Sequence, residues 1–361
     1  MDEQAKIMIM AGGTGGHIFP GLAVAERIME SGGLVSWLGA EHGLETSLVP
    51  ARGITLDTLA ISGLRGKGLF RWLTAPFKIL AAVIAANSLL ARRRPDCVIS
   101  MGGYAAGPGG IAAWLRRIPL IVHEQNRRPG LTNRVLAMLA RQVFEGFPGT
   151  FPASEKVITS GNPVRGEICR IAPPAIRLLG REGPVRILVL GGSQGAQTLN
   201  RLVPEAIAMA RAEIDVEVIH QAGKGNAGFT RGRYQQLGLD FEVCQFIDDM
   251  AKAYSWADLV VCRAGALTVS EIAATGLAAV FIPFPAAVDD HQTHNAAVLA
   301  DPGGARILQE ANLTASRLSQ ALTALSANRD KLLQMAEISR NQALPDAAGT
   351  VASYCMQLAT S

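Results

Sequence analysis

Three glycine-bearing turns carry the residues best suited to chemistry. In the first, Lys6-Ile7-Met8-Ile9-Met10 runs into Ala11-Gly12-Gly13-Thr14-Gly15-Gly16-His17. In the second, Ile187-Leu188-Val189-Leu190 runs into Gly191-Gly192-Ser193-Gln194-Gly195-Ala196. An apolar strand that breaks into small residues and then a helix leaves the first N–H groups of that helix unpaired. Together with the helix dipole they favour a phosphate or another anion. The third turn, Arg263-Ala264-Gly265, follows Leu259–Cys262 and leads into a helix read as starting near Leu267 or Thr268. An anion at such a terminus gains about 0.3–1 kcal/mol, and about 2 when partly buried. Glu271, read in the opening turn of that helix, suits a ribose diol or, alternatively, a helix cap.

Other readings of these turns stay open at this level. The first loop begins a G-x-G, but the third glycine of a dinucleotide fingerprint falls at Ile18, and no Gly-Lys-Ser/Thr follows as in a P-loop. A tight turn without a ligand is the plain alternative. Gly191–Gly195 also fits G-x-S-x-G, the nucleophile elbow of serine hydrolases, and Ser193, Asp289 or Asp290, and His291 follow the order of that triad. The acid and the histidine are almost adjacent, however, and this reading leaves the first glycine loop idle. His17 opens a helix at the edge where open α/β sheets bind ligands, which makes it a candidate base. Asp289-Asp290-His291-Gln292 offers polar groups to sugar hydroxyls, or is an ordinary polar loop. The chain has no H-E-x-x-H, and the adjacent Asp248-Asp249 suit one metal badly, so no metal and no other cofactor is expected. Helix dipoles and backbone N–H groups then have to carry the charge of a leaving diphosphate.

The elements that must position these residues alternate. Strands are predicted at the first apolar run and at Leu34–Leu38, Leu56–Ile61, Cys97–Ser100, Leu120–His123 and Val143–Glu145. Helices are predicted over Ile18–Met29, near Leu44–Val49 and over Phe70–Arg93. The segment Phe147–Pro174 is rich in Pro and Gly, which places a domain junction near Gly161-Asn162-Pro163. The second half repeats the pattern, with strands at Arg186–Leu190, Val216–His220, Glu242–Phe246, Leu259–Cys262 and Ala279–Ile282. A final helix covers Gly349–Leu358. Such alternation predicts an α/β fold of two doubly wound parallel sheets.

Composition agrees with this outline. The 361 residues suffice for two domains, and 49% apolar with 18% charged residues argues for a packed core. Five cysteines without C-x-x-C spacing point to a reducing, cytosolic setting, and the N-terminus has no secretion-signal pattern. Net charge is +4, yet the stretch from Thr58 to Pro95 holds seven basic residues (Arg65, Lys67, Arg71, Lys78, Arg92, Arg93 and Arg94) and no acidic one. Phe70, Leu73, Phe77, Leu80, Ile84 and Leu89 recur there at mostly helical steps. The uninterrupted apolar run, Ile79–Ala86, is far shorter than the roughly 20 residues that span a bilayer. An interfacial helix on an anionic membrane fits this pattern, and so does a core helix with a solvated basic end. With few aromatics for stacking and no recognisable module, nucleic acid is not an expected partner.

Taken together, the motifs closely resemble the family of N-acetylglucosaminyltransferases of bacterial peptidoglycan synthesis. They are Ala11–His17, Ile61-Ser62-Gly63-Leu64-Arg65-Gly66-Lys67-Gly68, Met101-Gly102-Gly103-Tyr104, His123-Glu124-Gln125-Asn126, Gly161-Asn162-Pro163-Val164-Arg165, Gly191–Ala196, Phe246-Ile247-Asp248-Asp249-Met250 and Gly265–Glu271, running in order along the whole chain. The resemblance implies a GT-B fold, two Rossmann-like doubly wound domains facing across a cleft. Residues 1–163 would form the acceptor and membrane-associating domain, 164–341 the UDP-GlcNAc-binding domain, and a helix in 342–361 would cross back to the first. It implies inverting transfer of GlcNAc from UDP-GlcNAc to the C4 hydroxyl of MurNAc in undecaprenyl-pyrophosphoryl-MurNAc-pentapeptide (lipid I), giving lipid II. A peripheral protein on the cytoplasmic face of the inner membrane is implied as well.

Carried over by residue, the donor site would use Thr14, Gly15, Gly16 and Asn126 from the first domain. The second would add Arg165 and Ser193 near the diphosphate, Ile247 at uracil, and Ala266, Leu267, Thr268, Val269 and Ser270 as the helix start. Glu271 would take the ribose and Gln292 the GlcNAc hydroxyls, although Ala286–His291 and Arg127-Arg128-Pro129 depart from the family's pattern. The base would be His17 or Glu124, with His17 preferred because an imidazole titrates near the working pH. A G-x-S-x-G serine hydrolase and a non-catalytic nucleotide-sugar binder are the alternatives.

Overall fold

The structure is a computed structural model that describes residues 4–61, 69–192, 195–287, 290–344 and 346–360, with only the backbone for 69–75. It forms two compact units. One takes the chain through Arg165 and again from Leu344, and the other is Gly166–Ala343, so each division falls two residues past the expected 163 and 341.

The first unit holds a seven-stranded parallel sheet: β1 Lys6–Ala11, β2 Leu34–Ala40, β3 Thr55–Leu59, β4 Cys97–Gly102, β5 Leu120–Glu124, β6 Gln142–Glu145 and β7 Val157–Thr159, in the order β3-β2-β1-β4-β5-β6-β7. Both of its faces are covered, so its central strands are apolar runs. Alternate residues of β1 serve opposite cores. Ile7 and Ile9 pack with Ile18, Leu22, Trp37, Val351 and Cys355, while Met8 and Met10 pack with Leu38, Val83, Leu90 and Ala106. The final helix, Ala347–Thr360, thus belongs to the first of these cores.

The second unit holds six parallel strands: β8 Val185–Leu190, β9 Val216–Gln221, β10 Glu242–Cys244, β11 Leu259–Cys262, β12 Ala278–Phe281 and β13 Ala305–Ile307, in the order β10-β9-β8-β11-β12-β13. Ile187, Val189, Val203, Ile207, Val218, Val261, Leu318 and Leu322 build its core. In each sheet the strand order reverses beside the first strand, at β1/β4 and at β8/β11, and such reversals open the crevices where α/β sheets take ligands.

Some local expectations change. The first helix, Gly15–Glu30, starts three residues before Ile18 because the N–H groups of His17 and Ile18 both donate to the Thr14 carbonyl, at 3.1 and 3.3 Å. It stops at Gly32, which adopts a left-handed φ of 83°. Strand β10 ends at Cys244, short of the expected Phe246. Strands β7 and β13, each three residues long, were not expected.

Two histidines are fully buried in strands. His123 on β5 donates from Nε2 to the Gly161 carbonyl at 3.0 Å. His220 on β9 sits between the Tyr234 hydroxyl and Asn200 Oδ1, each at 3.1 Å. Burial pushes their pKa values down to about 4 and about 3. An unfolded histidine titrates near 6.5, so below that pH the unfolded chain binds protons that the folded chain refuses. Stability should therefore be fully present above pH 6.5 and fall by about 1.4 kcal/mol per pH unit for each histidine as pH drops toward 4. Urea midpoints between pH 7.5 and 4.5 check this, and a flat profile would contradict it.

Candidate active site

At the first reversal, two glycine turns meet with no room for side chains. Gly102 and Gly103 follow β4 with φ of 96° and 91°, and a Cβ on Gly103 would collide with the Gly12 carbonyl oxygen. A Cβ on Gly102 would stand 3.1 Å from His17 Cδ2 and 3.4 Å from Asn133 Nδ2. Only glycine tolerates both the conformation and the approach. The end of β1 is also held by Trp37, whose Nε1–H donates to the Ala11 carbonyl at 2.8 Å.

His17, half-buried in the first helical turn, lies with Nδ1 3.3 Å from Thr14 Oγ1. Desolvation lowers its pKa below 6.5, while the nearby Glu124 and Glu45 carboxylates and a hydrogen bond to the Gly12 backbone pull it partly back. Glu124, buried at the end of β5, accepts from the Asn126 N–H at 2.9 Å and Asn126 Nδ2 at 3.2 Å on one oxygen. Its other oxygen accepts from the Gly130 N–H at 3.1 Å and Asn133 Nδ2 at 3.0 Å. Asn133 in turn accepts from Ser100 Oγ and donates to the His123 carbonyl, each at 3.0 Å. His17, Glu124, Asn126, Thr14 and the Gly15–Gly16 helix start are thus gathered at one end of one sheet.

At the second reversal, Gly191 and Gly195 turn against the strand beside them. A Cβ on Gly195, whose φ is 75°, would collide with the Ala222 carbonyl, and one on Gly191 would lie 2.9 Å from the Gln221 carbonyl. Ser193 and Gln194 lie outside the described residues, as does Asp289 of the hydrolase alternative. The helix after β11 is Ala266–Thr275, one residue longer at its start than expected. Its N-cap is Gly265, with no side-chain cap bond, so the first N–H groups are not taken by a capping side chain. Glu271 therefore stands in the second turn, buried, and accepts from the Tyr254 hydroxyl at 2.9 Å.

Gln292 opens the helix His291–Ala300, and its Oε1 accepts from the N–H groups of Ala264 at 3.2 Å and Phe284 at 3.0 Å, tying the loops after β11 and β12 together. Arg263 donates to the Ile282 and Pro283 carbonyls at 3.0 and 3.2 Å, pairs with Glu310, and lies over the Phe284 ring. Ile247 is half-buried just before Asp249, whose Oδ1 caps the helix Met250–Trp256 by accepting from the Lys252 N–H at 2.8 Å. Arg165, expected in the second domain, belongs to the first unit, because the chain passes to the second only beyond it. Its guanidinium lies 5.9 Å from the centre of the Phe19 ring.

Several of these partners escape sequence reading: Glu45 and Glu310 are far in sequence from the groups they meet, and Asn133 and Tyr254, 9 and 17 residues from theirs, belong to none of the motifs.

The basic stretch divides along its helix, Leu69–Arg93. Toward the C-terminal end Val83, Ala86 and Leu90 are buried, and Arg92 and Arg93 both donate to Asp57, at 2.8 and 2.7 Å. Toward the other end Phe77, Leu80 and Ile84 are exposed to 76%, 58% and 59%, on one face beside Lys78. Trp114 and Leu115, at the end of the packed neighbour Ala106–Leu115, are also exposed. The side chains of Phe70, Arg71, Trp72 and Leu73, and residues Arg65 and Lys67, lie outside the description.

Comparison with known proteins bears on both units. Residues 7–145 match the glycosyltransferase family 28 N-terminal domain and residues 186–351 its C-terminal domain. A protein of Aeromonas hydrophila, named UDP-N-acetylglucosamine–N-acetylmuramyl-(pentapeptide) pyrophosphoryl-undecaprenol N-acetylglucosamine transferase, is 51% identical over 98% of this chain and 97% of its own. A protein of the same name from Xanthomonas euvesicatoria is 54% identical over 98% of this chain and 81% of its own. The crystal structure of Acinetobacter baumannii MurG superposes with a TM-score of 0.85 at 44% identity, over 98% of this chain and 99% of the other. The two parallel-sheet units are those of a GT-B fold.

Gly103→Ala should force Gly12 and the loop carrying His17 apart. We expect a loss of about 1–3 kcal/mol in stability, as overpacking brings, together with loss of turnover. Urea denaturation and a turnover assay on the same preparation check both.

Proposed function

The chain belongs to glycosyltransferase family 28 and is an N-acetylglucosaminyltransferase. From that premise we propose that it moves GlcNAc from UDP-GlcNAc, with inversion, to the C4 hydroxyl of MurNAc in undecaprenyl-pyrophosphoryl-MurNAc-pentapeptide. The observation that carries the mechanism is the contrast between His17 and Glu124. Glu124 already accepts two hydrogen bonds on each oxygen. His17 is half-buried with a lowered pKa, hence a neutral imidazole near pH 7. We assign His17 as the general base and Glu124 as the carboxylate that holds Asn126 and Asn133 in place.

In the displacement, the acceptor O4 attacks C1 of GlcNAc as its proton passes to the His17 imidazole. The C1–O bond breaks with its electron pair leaving on UDP. The N–H groups of Ala266, Leu267 and Thr268 at an uncapped helix start suit that diphosphate, with Ser193, Arg165 and the Thr14-Gly15-Gly16 turn as further proposed donors. Glu271, oriented by the Tyr254 hydroxyl, is proposed to accept from the ribose diol, the Ile247 backbone to face uracil, and Val269, Ser270, Gln292 and Asn126 to complete the donor site. Relatedness along nearly the whole chain to named transferases leaves the serine-hydrolase alternative without support.

The reading includes a membrane surface. Among the described residues no helix is long and apolar enough to cross a membrane. We propose that Phe77, Leu80 and Ile84, with Lys78 beside them, rest on an anionic lipid surface on the cytoplasmic face of the inner membrane, where each basic residue adds about 1 kcal/mol. This matches an acceptor carried on a polyprenyl diphosphate.

UDP should be released from UDP-GlcNAc only when a MurNAc-containing acceptor is added. His17→Ala should cut that release by about 100-fold or more while leaving UDP-GlcNAc affinity within about twofold. Release without acceptor, or near-normal turnover in the variant, would sink the assignment. Separately, replacing Phe77, Leu80 and Ile84 together by Ser should abolish sedimentation with phosphatidylglycerol vesicles while preserving turnover of a short-chain soluble acceptor. Unchanged vesicle binding would overturn the surface.

A further inference from the structure

Glu45 starts the short helix Glu45–Leu48 after β2 and takes no part in the reaction as described. Its side chain is fully buried, and among the described residues it forms no ion pair. Backbone N–H groups surround its carboxylate instead. Ala40 donates to Oε1 at 2.9 Å, and Gly13 donates between the two oxygens at 3.1 and 3.3 Å. Three glycines make room for it. A Cβ on Gly12 would stand 2.5 Å from Oε1, one on Gly39 2.8 Å from Cγ, and one on Gly43 would collide with Oε2.

A carboxylate buried without a cation is costly unless hydrogen bonds and a nearby positive charge compensate. The Gly13 N–H among these donors belongs to the loop that carries His17, and the Ala40 N–H to the end of β2. The Gly12 backbone, one residue from the Gly13 N–H that Glu45 holds, is among the groups that raise the pKa of the His17 ring. The charged groups acting on His17 come from two elements, Glu45 on its short helix and Glu124 at the end of β5, joined by the neutral Thr14 hydroxyl on the same loop.

We propose that Glu45 is a positioning residue for glycosyl transfer, which locks the Gly12–Thr14 loop in place and stabilises the imidazolium that forms when His17 takes the acceptor proton. This rests on the reading of His17 as the base. During the reaction a positive charge arises on His17, near a carboxylate that among the described residues forms no ion pair, so the two are better matched in the transition state than in the ground state.

Glu45→Gln keeps the shape, removes the charge and turns one acceptor into a donor aimed at backbone N–H groups. NMR of the full chain with labelled histidine should show the His17 titration displaced to lower pH by about one unit. Amide exchange at Gly13 and Ala40 should quicken about tenfold. Turnover should fall about tenfold, with the acid limb of the kcat profile moving to lower pH and the UDP-GlcNAc KM within about twofold. Glu45→Asp keeps the charge but withdraws the carboxylate, so it should quicken Gly13 exchange while leaving the His17 titration nearly in place; it decides the matter if Glu45→Gln does not fold. Unchanged titration and exchange, with His17→Ala still inactive, would overturn the role of Glu45 alone. If titration and exchange shift but kcat does not, His17 is not the base, and the role proposed for Glu45 in transfer falls with it.

Discussion

The first unit depends on a place where two backbones cross without side chains between them. The turn after β4 can lie on the turn after β1 only because Gly103 has no Cβ to meet the Gly12 carbonyl, and because Gly102 and Gly103 adopt positive φ. That crossing brings His17, on one turn, to Asn133 and Glu124, which come from elements more than a hundred residues along the chain. The second unit uses the same device at its own reversal, with Gly195 against the Ala222 carbonyl. In both, polar groups behind the turn fix its height. Trp37 holds the Ala11 carbonyl at 2.8 Å, and Asn200 donates to the Ala222 carbonyl at 2.9 Å.

Much of this was legible from local pattern. Continuous apolar runs ending in glycine mark buried parallel strands, and their alternation with helical periods implies the doubly wound sheets that β1–β6 and β8–β12 form. What was not legible has two physical sources. Strands β7 and β13 are three residues long, too short for a period to show, and they exist because a neighbouring strand offers hydrogen bonds. The polar partners Glu45, Asn133, Tyr254 and Glu310 are defined by contacts that only the folded chain makes, between residues 9 to 47 apart, which no motif spacing encodes. The turn in which Glu271 stands differs from the expected one for a related reason. A helix start is set by which N–H groups find carbonyls, and Gly265 let it begin at Ala266.

The fold treats its buried carboxylates in two ways. Asp57 is met by Arg92 and Arg93, and Asp258 by Arg181 and Arg329, each pinning a helix or loop to a strand edge with fixed cations. The first two arginines explain why the basic stretch is not uniform. Its C-terminal end is structural, which leaves, among the described side chains, Lys78 and the exposed apolar face of Phe77, Leu80 and Ile84 for the lipid surface proposed above.

Glu45 and Glu124 are handled otherwise, by backbone and amide N–H donors rather than by arginine. The difference matters for the chemistry proposed here. An arginine beside either carboxylate would offset its potential at His17, leaving the lowering by desolvation less opposed. With these two carboxylates near it, neither in an ion pair among the described residues, the ring proposed as the base is neutral at rest and would be stabilised as it gains charge, because its pKa is lowered by burial and partly restored by those charges. The arrangement requires that the carboxylates be satisfied by groups without net charge, and the backbone N–H groups of Gly13, Ala40, Asn126 and Gly130 with the side-chain amides of Asn126 and Asn133 supply them. A second set of glycines serves the proposed base: Gly12, Gly39 and Gly43 give Glu45 its space, and Gly13 gives it its hydrogen bond, while Gly102 and Gly103 let the two turns cross.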